Sequence, residues 1–230
     1  LEIAQNSNEA LDLRMTAISR LGERKGSTDN LIRIYETERN PEIRRRLLNS
    51  LSESDDPRAT AKLLEIARTG SEVEMRRFAL RRLGEKNSEA MLDELMRIYQ
   101  AERDMDVKRE ILNAFSDMNN PRATAKLHEI ARNTSENADL RRTVIRRLGE
   151  KDDAQAVELL ISLYDAETNP DIKRTLLHAF AESGQKAALR KLMQVARTDA
   201  SVDLRRAAIQ RIGESKDPEA LKFLEDILKP

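Results

Sequence analysis

An eleven-residue segment recurs along the chain and restricts the folds that are open to it. Met75-Arg-Arg-Phe-Ala-Leu-Arg-Arg-Leu-Gly-Glu85 returns in closely similar form at residues 140–150 and 204–214, with a more divergent copy at 13–23. The glycines of these four segments, at spacings of 62, 65 and 64 residues, are Gly22, Gly84, Gly149 and Gly213. A fixed period of this kind indicates stacked copies of one supersecondary unit rather than a single closed core.

A second variant of the same segment lies midway between the glycine-containing copies. It occupies residues 43–52, 107–116 and 172–181 and lacks the glycine. The repeating unit is therefore about half the glycine spacing, roughly 32 residues, in two alternating types. We call the glycine-containing units type A and the others type B. The sequence predicts about seven such repeats.

Each repeat has the apolar pattern of two amphipathic helices. In one type B repeat the first helix is marked by Ile43, Leu47, Leu48 and Leu51, and the second by Ala59, Leu63, Leu64, Ile66 and Ala67. Five Asn-Pro or Asp-Pro pairs, which place a capping side chain before a proline at the first helical position, predict helix starts at Pro41, Pro57, Pro121, Pro170 and Pro218. The type A glycines follow the last apolar residue of a first helix, and we expect them to form left-handed C-terminal caps.

Composition excludes several kinds of site. Charged residues make up 36% of the chain and aromatic residues 3%, which favours thin helical layers over one thick core. The 41 basic and 41 acidic side chains cancel, so the chain lacks the broad cationic field of a dedicated nucleic-acid or anionic-membrane binder. With no cysteine and two histidines, the sequence predicts no metal site and no cofactor. No apolar run reaches the length of a membrane span.

The repeat pattern resembles the HEAT-like repeats of bacterial proteins and of phycobilisome-lyase-type domains. The resemblance is carried by the Arg-x-x-Ala-x-x-x-Leu-Gly form of the first helices and covers essentially the whole chain. It implies an all-α fold, an α-α superhelix forming a right-handed solenoid of about seven two-helix repeats, with residues 1–230 as one domain. Leu1-Glu-Ile-Ala4 aligns with Leu64-Glu-Ile-Ala67 inside a second helix, so we expect a fragment that begins inside a repeat and is monomeric.

The resemblance also implies that second helices line a concave surface, so their solvent-facing positions are the candidate binding residues. Helical phase selects, in type A repeats, Asp29, Asn30 and Arg33, then Asp93, Glu94, Arg97 and Gln100, then Glu158, Leu159, Ser162 and Asp165. In type B repeats it selects Lys62, Glu65 and Arg68, then Lys126, Glu129 and Arg132, then Arg190, Lys191, Gln194 and Arg197. The solvent-facing positions of one second helix form a stripe, and mainly acidic stripes of type A repeats thus alternate with mainly basic stripes of type B repeats.

Two interpretations of these stripes stay open. They are either exposed ion pairs between neighbouring repeats, which contribute about 0–1 kcal/mol each, or a polar groove for a mixed-charge partner. Arg190, Lys191 and Arg197 form the most distinctive stripe because no acid lies among them. Tyrosine recurs in the type A second helices at 64- and 65-residue spacings, as Tyr35, Tyr99 and Tyr164, and the type B repeats have alanine at the equivalent position. We expect these tyrosines to pack in the core rather than form a recognition strip.

These observations favour a non-enzymatic scaffold that binds a protein or peptide on the concave face. Two alternatives remain: a lyase-like enzyme acting on a bilin, as the family resemblance allows, and nucleic-acid binding through the first-helix arginine pairs. The sequence argues against nucleic acid, because nearby glutamates dilute the arginine field and no aromatic residue is placed to stack on bases. His128 and His178 lie on different helices, and neither has a nucleophile or an orienting carboxylate at a spacing that indicates a catalytic site. We therefore predict no catalytic residue.

Overall fold

The computed structural model describes residues 1–151 and 153–228, and these residues form helices and connecting turns only. Fifteen helices are found in the described part of the chain. They are α1 (Glu2–Gln5), α2 (Leu11–Gly22), α3 (Thr28–Thr37), α4 (Pro41–Ser52), α5 (Pro57–Thr69), α6 (Val73–Gly84), α7 (Glu89–Ala101), α8 (Met105–Asp117), α9 (Pro121–Arg132), α10 (Ala138–Gly149), α11 (Ala154–Ala166), α12 (Pro170–Glu182), α13 (Lys186–Thr198), α14 (Val202–Glu214) and α15 (Pro218–Leu228).

From α2 onwards the first and second helices of the repeats alternate along the described chain, which confirms the α-α superhelix fold class. Even-numbered helices are the first helices and odd-numbered helices the second helices. The chain divides into two compact units, unit 1 (Leu1–Asn120) and unit 2 (Pro121–Pro230). Within unit 1, the first helices α2, α4, α6 and α8 pack in sequence, and within unit 2 α10, α12 and α14 do the same.

Helix starts follow the predicted capping pattern. Helices begin at all five of the prolines that follow Asn or Asp. Asn40 accepts hydrogen bonds from the backbone N–H groups of Glu42 and Ile43 at 2.9 and 3.2 Å, and Asn169 caps α12 in the same way. Because these side chains satisfy N–H groups that have no partner inside the helix, they set where each helix begins.

The core of each unit consists mainly of aliphatic side chains, with one tyrosine from each of three type A second helices. Tyr35, Tyr99 and Tyr164 are buried, which confirms the predicted core position. The corresponding type B residues Ala67 and Ala131 are fully buried. Large and small buried residues therefore alternate between successive second helices, which is an ordinary way to pack neighbouring layers.

The type A glycines have a different role from the predicted left-handed cap. Gly22, Gly84 and Gly149 are the last residues of α2, α6 and α10, and none has a positive φ. They are sites of close approach between first helices. A Cβ on Gly149 would lie 2.7 Å from the Cα of Ala179 on α12, and one on Gly84 would lie 2.8 Å from the Cβ of Ala114 on α8. The prediction was wrong because it considered only the helix end and not the neighbouring helix.

Buried arginines join consecutive elements at the type A repeats. The guanidinium of Arg141 on α10 donates to the carbonyl oxygen of Ala131 on α9 at 3.2 Å and to Glu167 at 2.6 Å, and both ionic side chains are 6% exposed. The same arrangement occurs twice in unit 1, where Arg14 contacts Ala4 and Glu38, and Arg76 contacts Ala67 and Glu102. Each arginine thus connects its own first helix to the second helix before it and to the loop after the second helix of its own repeat.

A second set of contacts lies at the type B repeats, where a cation on the first helix covers the ring of the preceding tyrosine. Arg44 lies 4.5 Å from the ring centroid of Tyr35, and Lys173 lies 4.8 Å from that of Tyr164. The Tyr164 hydroxyl donates to Asp199 at 2.8 Å. The two repeat types therefore use different interlocking contacts in alternation.

Candidate partner-binding surface

In unit 1, the solvent-facing side chains of α3, α5 and α7 form a surface that we call row 1. It contains the predicted residues Arg33, Lys62, Glu65, Arg68, Asp93, Glu94 and Arg97. Most of them pair with one another. The ammonium of Lys62 lies 3.0 Å from Glu36 on α3 and 3.0 Å from Glu65 on its own helix. Row 1 is therefore largely neutralised by its own contacts.

Glu94 is the centre of a second cluster of ion pairs in row 1. It forms an ion pair with Arg68 of the preceding second helix and another with Arg97 at 2.7 Å. The Arg97 side chain remains 70% exposed and Arg33 is also exposed, so both are accessible to a partner. The interpretation of the stripes as inter-repeat ion pairs thus fits row 1 well.

The acids around Lys62 keep its side chain charged although it is largely covered. Burial disfavours the ammonium, but hydrogen bonds to Glu36 and Glu65 outweigh that effect and raise the pKa of Lys62. The side chain is 11% exposed and its ammonium is bonded to two acids, so little of Lys62 is available to a partner.

In unit 2, the solvent-facing side chains of α9, α11 and α13 form row 2. It contains Lys126, Glu129, Arg132, Glu158, Arg190, Gln194 and Arg197. Lys126 and Glu129 form an ion pair at 2.7 Å. Arg132 and Arg190 are exposed and have no ion pair or hydrogen bond to any residue that the structure describes. The guanidinium of Arg197 lies 4.7 Å from the ring centroid of Phe223.

Lys191 and Leu159, which helical phase placed towards solvent, are buried. Lys191 is 7% exposed, since it lies against the Tyr164 ring and its ammonium reaches Asp165 at 2.5 Å and Gln194 at 3.2 Å. The prediction was wrong for Lys191 because the phase of a single helix does not include the neighbouring tyrosine. The stripe on α13 therefore consists of Arg190 and Arg197, with Lys191 as a packing residue.

The two rows differ in how far their arginines are paired. Arg68 in row 1 and Arg132 in row 2 occupy equivalent positions of successive type B repeats, but only Arg68 has an acidic partner among the described residues. Row 2 has the exposed Glu158 against the exposed Arg132, Arg190 and Arg197. The excess of cations in row 2 makes it the more suitable surface for an acidic partner.

The arginine pairs of the first helices are mostly taken up by acids. Arg77 and Arg81 both contact the buried Glu110 of α8, at 3.3 and 2.9 Å. Arg82, Arg142, Arg147, Arg206 and Arg211 each pair with an acid three residues away on the chain. Among these contacts, only those of Arg77 and Arg81 are to an acid of the next repeat, and nearby acids dilute the arginine field as the sequence predicts.

Neither histidine belongs to a cluster of reactive groups. Burial and the nearby Arg132 lower the pKa of His128, which keeps the imidazole neutral at pH 7. His178 lies 3.6 Å from Glu182 on the surface of α12. In the part of the chain that the structure describes, no group of three or more His, Cys, Asp or Glu side chains is arranged to hold a metal ion. No described helix has both the length and the apolar character that a bilayer span requires.

Sequence comparisons assign the repeats to a family. The family model for HEAT repeats matches residues 60–136, 125–210 and 165–230, which together cover more than half of the chain. The chain therefore belongs to the HEAT-repeat family. No curated protein sequence matches it significantly.

Several solved structures align with the chain at low identity. Human deoxyhypusine hydroxylase aligns over 98% of this chain and 86% of its own, with 15% identity and a TM-score of 0.44. The complex of CpcE and CpcF of phycocyanin lyase from Nostoc sp. aligns over 98% and 91%, with 17% identity and a TM-score of 0.46. Kap95p, from a structure with RanGDP, aligns over 98% and 30%, with 11% identity and a TM-score of 0.44.

The buried arginine–glutamate contacts were not predicted from the sequence, although a signal for them exists. Glu38, Glu102 and Glu167 recur at 64- and 65-residue spacings, each two residues before a capping Asn or Asp. Each also accepts hydrogen bonds from the backbone N–H groups of the next two residues. An acidic residue with the same period as the type A arginines could have indicated the pairing.

Proposed function

We propose that the chain is a non-enzymatic scaffold domain that binds a protein or peptide through the exposed side chains of its second helices. The observation that carries the proposal is row 2, where exposed arginines on α9 and α13 have no acidic partner among the described residues. Guanidinium groups that a fold does not neutralise are available to a partner without first breaking an ion pair.

Membership of the HEAT-repeat family supports the scaffold role. Stacked repeats present an extended surface in which neighbouring helices repeat the same exposed positions about 8–10 Å apart. Such a surface matches an elongated partner better than a small molecule, because contacts are distributed along the helices instead of converging on one point.

The proposal is tested by charge reversal on the second helices. The variant carries Arg97→Glu, Arg132→Glu and Arg197→Glu, and the matched control carries Arg109→Glu, Arg174→Glu and Arg206→Glu on first helices. All six arginine side chains are at least partly exposed, and the two sets change the net charge equally. Both proteins are used as bait in native extract of the source organism, and captured proteins are quantified by mass spectrometry.

We expect the second-helix variant to lose its main partner by about tenfold or more, because reversing a charge replaces attraction with repulsion at the contact. The control should capture as the unmodified chain does. Equal capture by the unmodified chain and the second-helix variant would rule out these helices as the binding surface.

A further inference from the structure

Row 2 contains a cleft of about 370 Å³ between α9, α10 and α11, which we call the Arg132 cleft. Its lining includes the exposed side chains of Arg132, Ser162 and Ala166 and the buried ion pair of Arg141 with Glu167. Because the side chains of Arg141 and Glu167 are each only 6% exposed, the three exposed residues form the opening of the cleft and the ion pair lies deeper. The volume suits one side chain and its adjoining backbone rather than a large cofactor.

At the equivalent place in unit 1 the charged side chains pair with one another. There Arg68, the counterpart of Arg132, pairs with Glu94, and Arg97 pairs with the same carboxylate. In alignment with α7, α11 has Leu159 in place of Glu94 and Ser162 in place of Arg97. Unit 2 thus lacks the acid that pairs with the arginine in unit 1, and it has a short side chain, Ser162, where unit 1 has Arg97.

Glu167 does not take over the role of the missing acid. Its carboxylate accepts hydrogen bonds from Arg141 at 2.6 Å and from the backbone N–H groups of Thr168 and Asn169 at 2.9 Å each. Since Arg141 cancels the charge of Glu167, Arg132 leaves the cleft with one net positive charge. Lys126 and Glu129 on the same helix neutralise each other at 2.7 Å and do not alter this balance.

We propose that the Arg132 cleft binds the carboxylate of a glutamate or aspartate side chain in an acidic segment of a protein partner. The proposal rests on the proposed function and adds the chemistry of the bound group. The planar guanidinium offers two parallel N–H donors that match a carboxylate. Leu163, which also lines the cleft, and Ala166 present apolar surface to the methylene stem of the bound side chain.

The charge of the cleft favours a carboxylate over a phosphate group. One net positive charge matches a monoanion, whereas a dianionic phosphate would be brought close to the Glu167 carboxylate without a second unpaired cation in the cleft. The exposed Arg190 and Arg197 elsewhere in row 2 give further favourable interactions with an acidic segment.

The test uses a fluorescein-labelled peptide of sequence Leu-Glu-Leu-Glu-Leu-Glu, with binding to the full chain followed by fluorescence anisotropy. A peptide with Gln in place of each Glu, and one with a single phosphoserine among Gln residues, provide comparison ligands. The variant Arg132→Gln removes the proposed contact. Arg68→Gln is the matched control, because Arg68 is the equivalent residue in unit 1 and is already paired.

We expect Arg132→Gln to weaken the affinity for the Glu peptide by about tenfold or more, because the charge-assisted hydrogen bonds between the guanidinium and the bound carboxylate are lost. Arg68→Gln should bind as the unmodified chain does. Ser162→Glu, which places an acid beside Arg132 at an exposed position, should reduce binding to the same extent as Arg132→Gln, and Ser162→Ala should not. Circular dichroism confirms that each variant keeps its helices.

Three results would overturn the cleft as the carboxylate site: equal binding of the Glu peptide by Arg132→Gln and the unmodified chain, equal binding of the Gln peptide, or tighter binding of the phosphoserine peptide. The extract capture experiment separates this failure from failure of the proposed function. A natural partner lost by the three-arginine second-helix variant but retained by Arg132→Gln overturns the cleft alone. A partner retained by both overturns the binding surface itself.

Discussion

Glu38 and Glu167 are residues whose ionisation is coupled to folding. Burial acts to raise the pKa of Glu167, but the backbone N–H of Asn169 and the guanidinium of Arg141 outweigh it, so the pKa is lowered from its ordinary value of 4.5. The pKa of Glu38 is lowered in the same way, by the backbone N–H of Asn40 and the guanidinium of Arg14. Because the unfolded chain binds these protons at higher pH than the folded chain, the stabilisation is complete above about pH 4.5 and is lost as pH falls through the folded pKa.

We therefore expect Glu167→Gln to remove a pH-dependent part of the stability. At pH 7 its free energy of unfolding should be lower by about 1.5–3 kcal/mol, since the buried Arg141 loses its charged partner. At about pH 3 the difference from the unmodified chain should shrink, because the unmodified Glu167 also becomes protonated. Urea unfolding followed by circular dichroism at both pH values measures this.

Glu150→Gln is the control for this measurement. Glu150, which directly follows α10, pairs with Arg147 but is 53% exposed, so its replacement should change the free energy of unfolding by no more than about 0.5 kcal/mol. If Glu167→Gln lowers the free energy of unfolding equally at both pH values, the ionisation of Glu167 is not coupled to folding as proposed.

At the scale of helices, the type A glycines determine how closely successive first helices approach. The contacts of Gly84 with Ala114 and of Gly149 with Ala179 bring each pair of helices to a separation that no larger residue permits. Gly213 on α14 has the same place in its repeat, but a Cβ there would lie within 4 Å of no atom of a neighbouring helix among the described residues. The same sequence position is thus under a packing constraint in α10 and free of it in α14.

This difference predicts opposite effects of one substitution at two equivalent positions. Gly149→Ala should destabilise the chain by about 1–3 kcal/mol, since the added methyl group overlaps the backbone of α12. Gly213→Ala should be neutral or stabilise it by up to about 1 kcal/mol, because alanine has the higher helix propensity. Thermal and urea unfolding of both variants measures the pair, and similar losses in both would show that the glycines act through backbone conformation instead.

The repeat period, the helix boundaries and the buried tyrosines were predictable from the sequence because they depend on local periodicity and on capping residues that lie next to each helix start. The position of Lys191 was not, since its burial results from Tyr164 on a neighbouring helix. Helical phase correctly placed most residues of rows 1 and 2 at exposed or partly exposed positions. The unpaired state of Arg132 depends on which residue a neighbouring helix supplies, and helical phase carries no information about it.

At the scale of the whole chain, the contacts described within each unit are between neighbouring repeats. First helices pack on the next first helix, and second helices α11, α13 and α15 of unit 2 pack in the same order. Stability in such an array is approximately a sum of repeat terms and nearest-neighbour terms. A local change is therefore expected to have local consequences.

Hydrogen exchange provides a test of this locality. In Gly149→Ala the amide protection of α10 and α12 should fall, because the altered contact lies between those helices. The protection of α2 and α4, which share no contact with that site, should match the unmodified chain within error. A uniform loss of protection along the chain would indicate one cooperative unit and contradict nearest-neighbour behaviour.

The alternation of contacts between the two repeat types has a consequence for deletions and for recombination between repeats. Arg76 donates to the backbone carbonyl oxygen of the small Ala67 on a type B helix and to Glu102, which follows a type A helix, whereas Arg44 covers the ring of Tyr35 in the layer before it. Excising one repeat would place an arginine against the wrong neighbour, but excising two would again place each type A arginine next to a small type B residue and each type B cation next to a tyrosine. Changes in length should therefore be tolerated in steps of one A–B pair, about 64 residues, and rejected in steps of half that size.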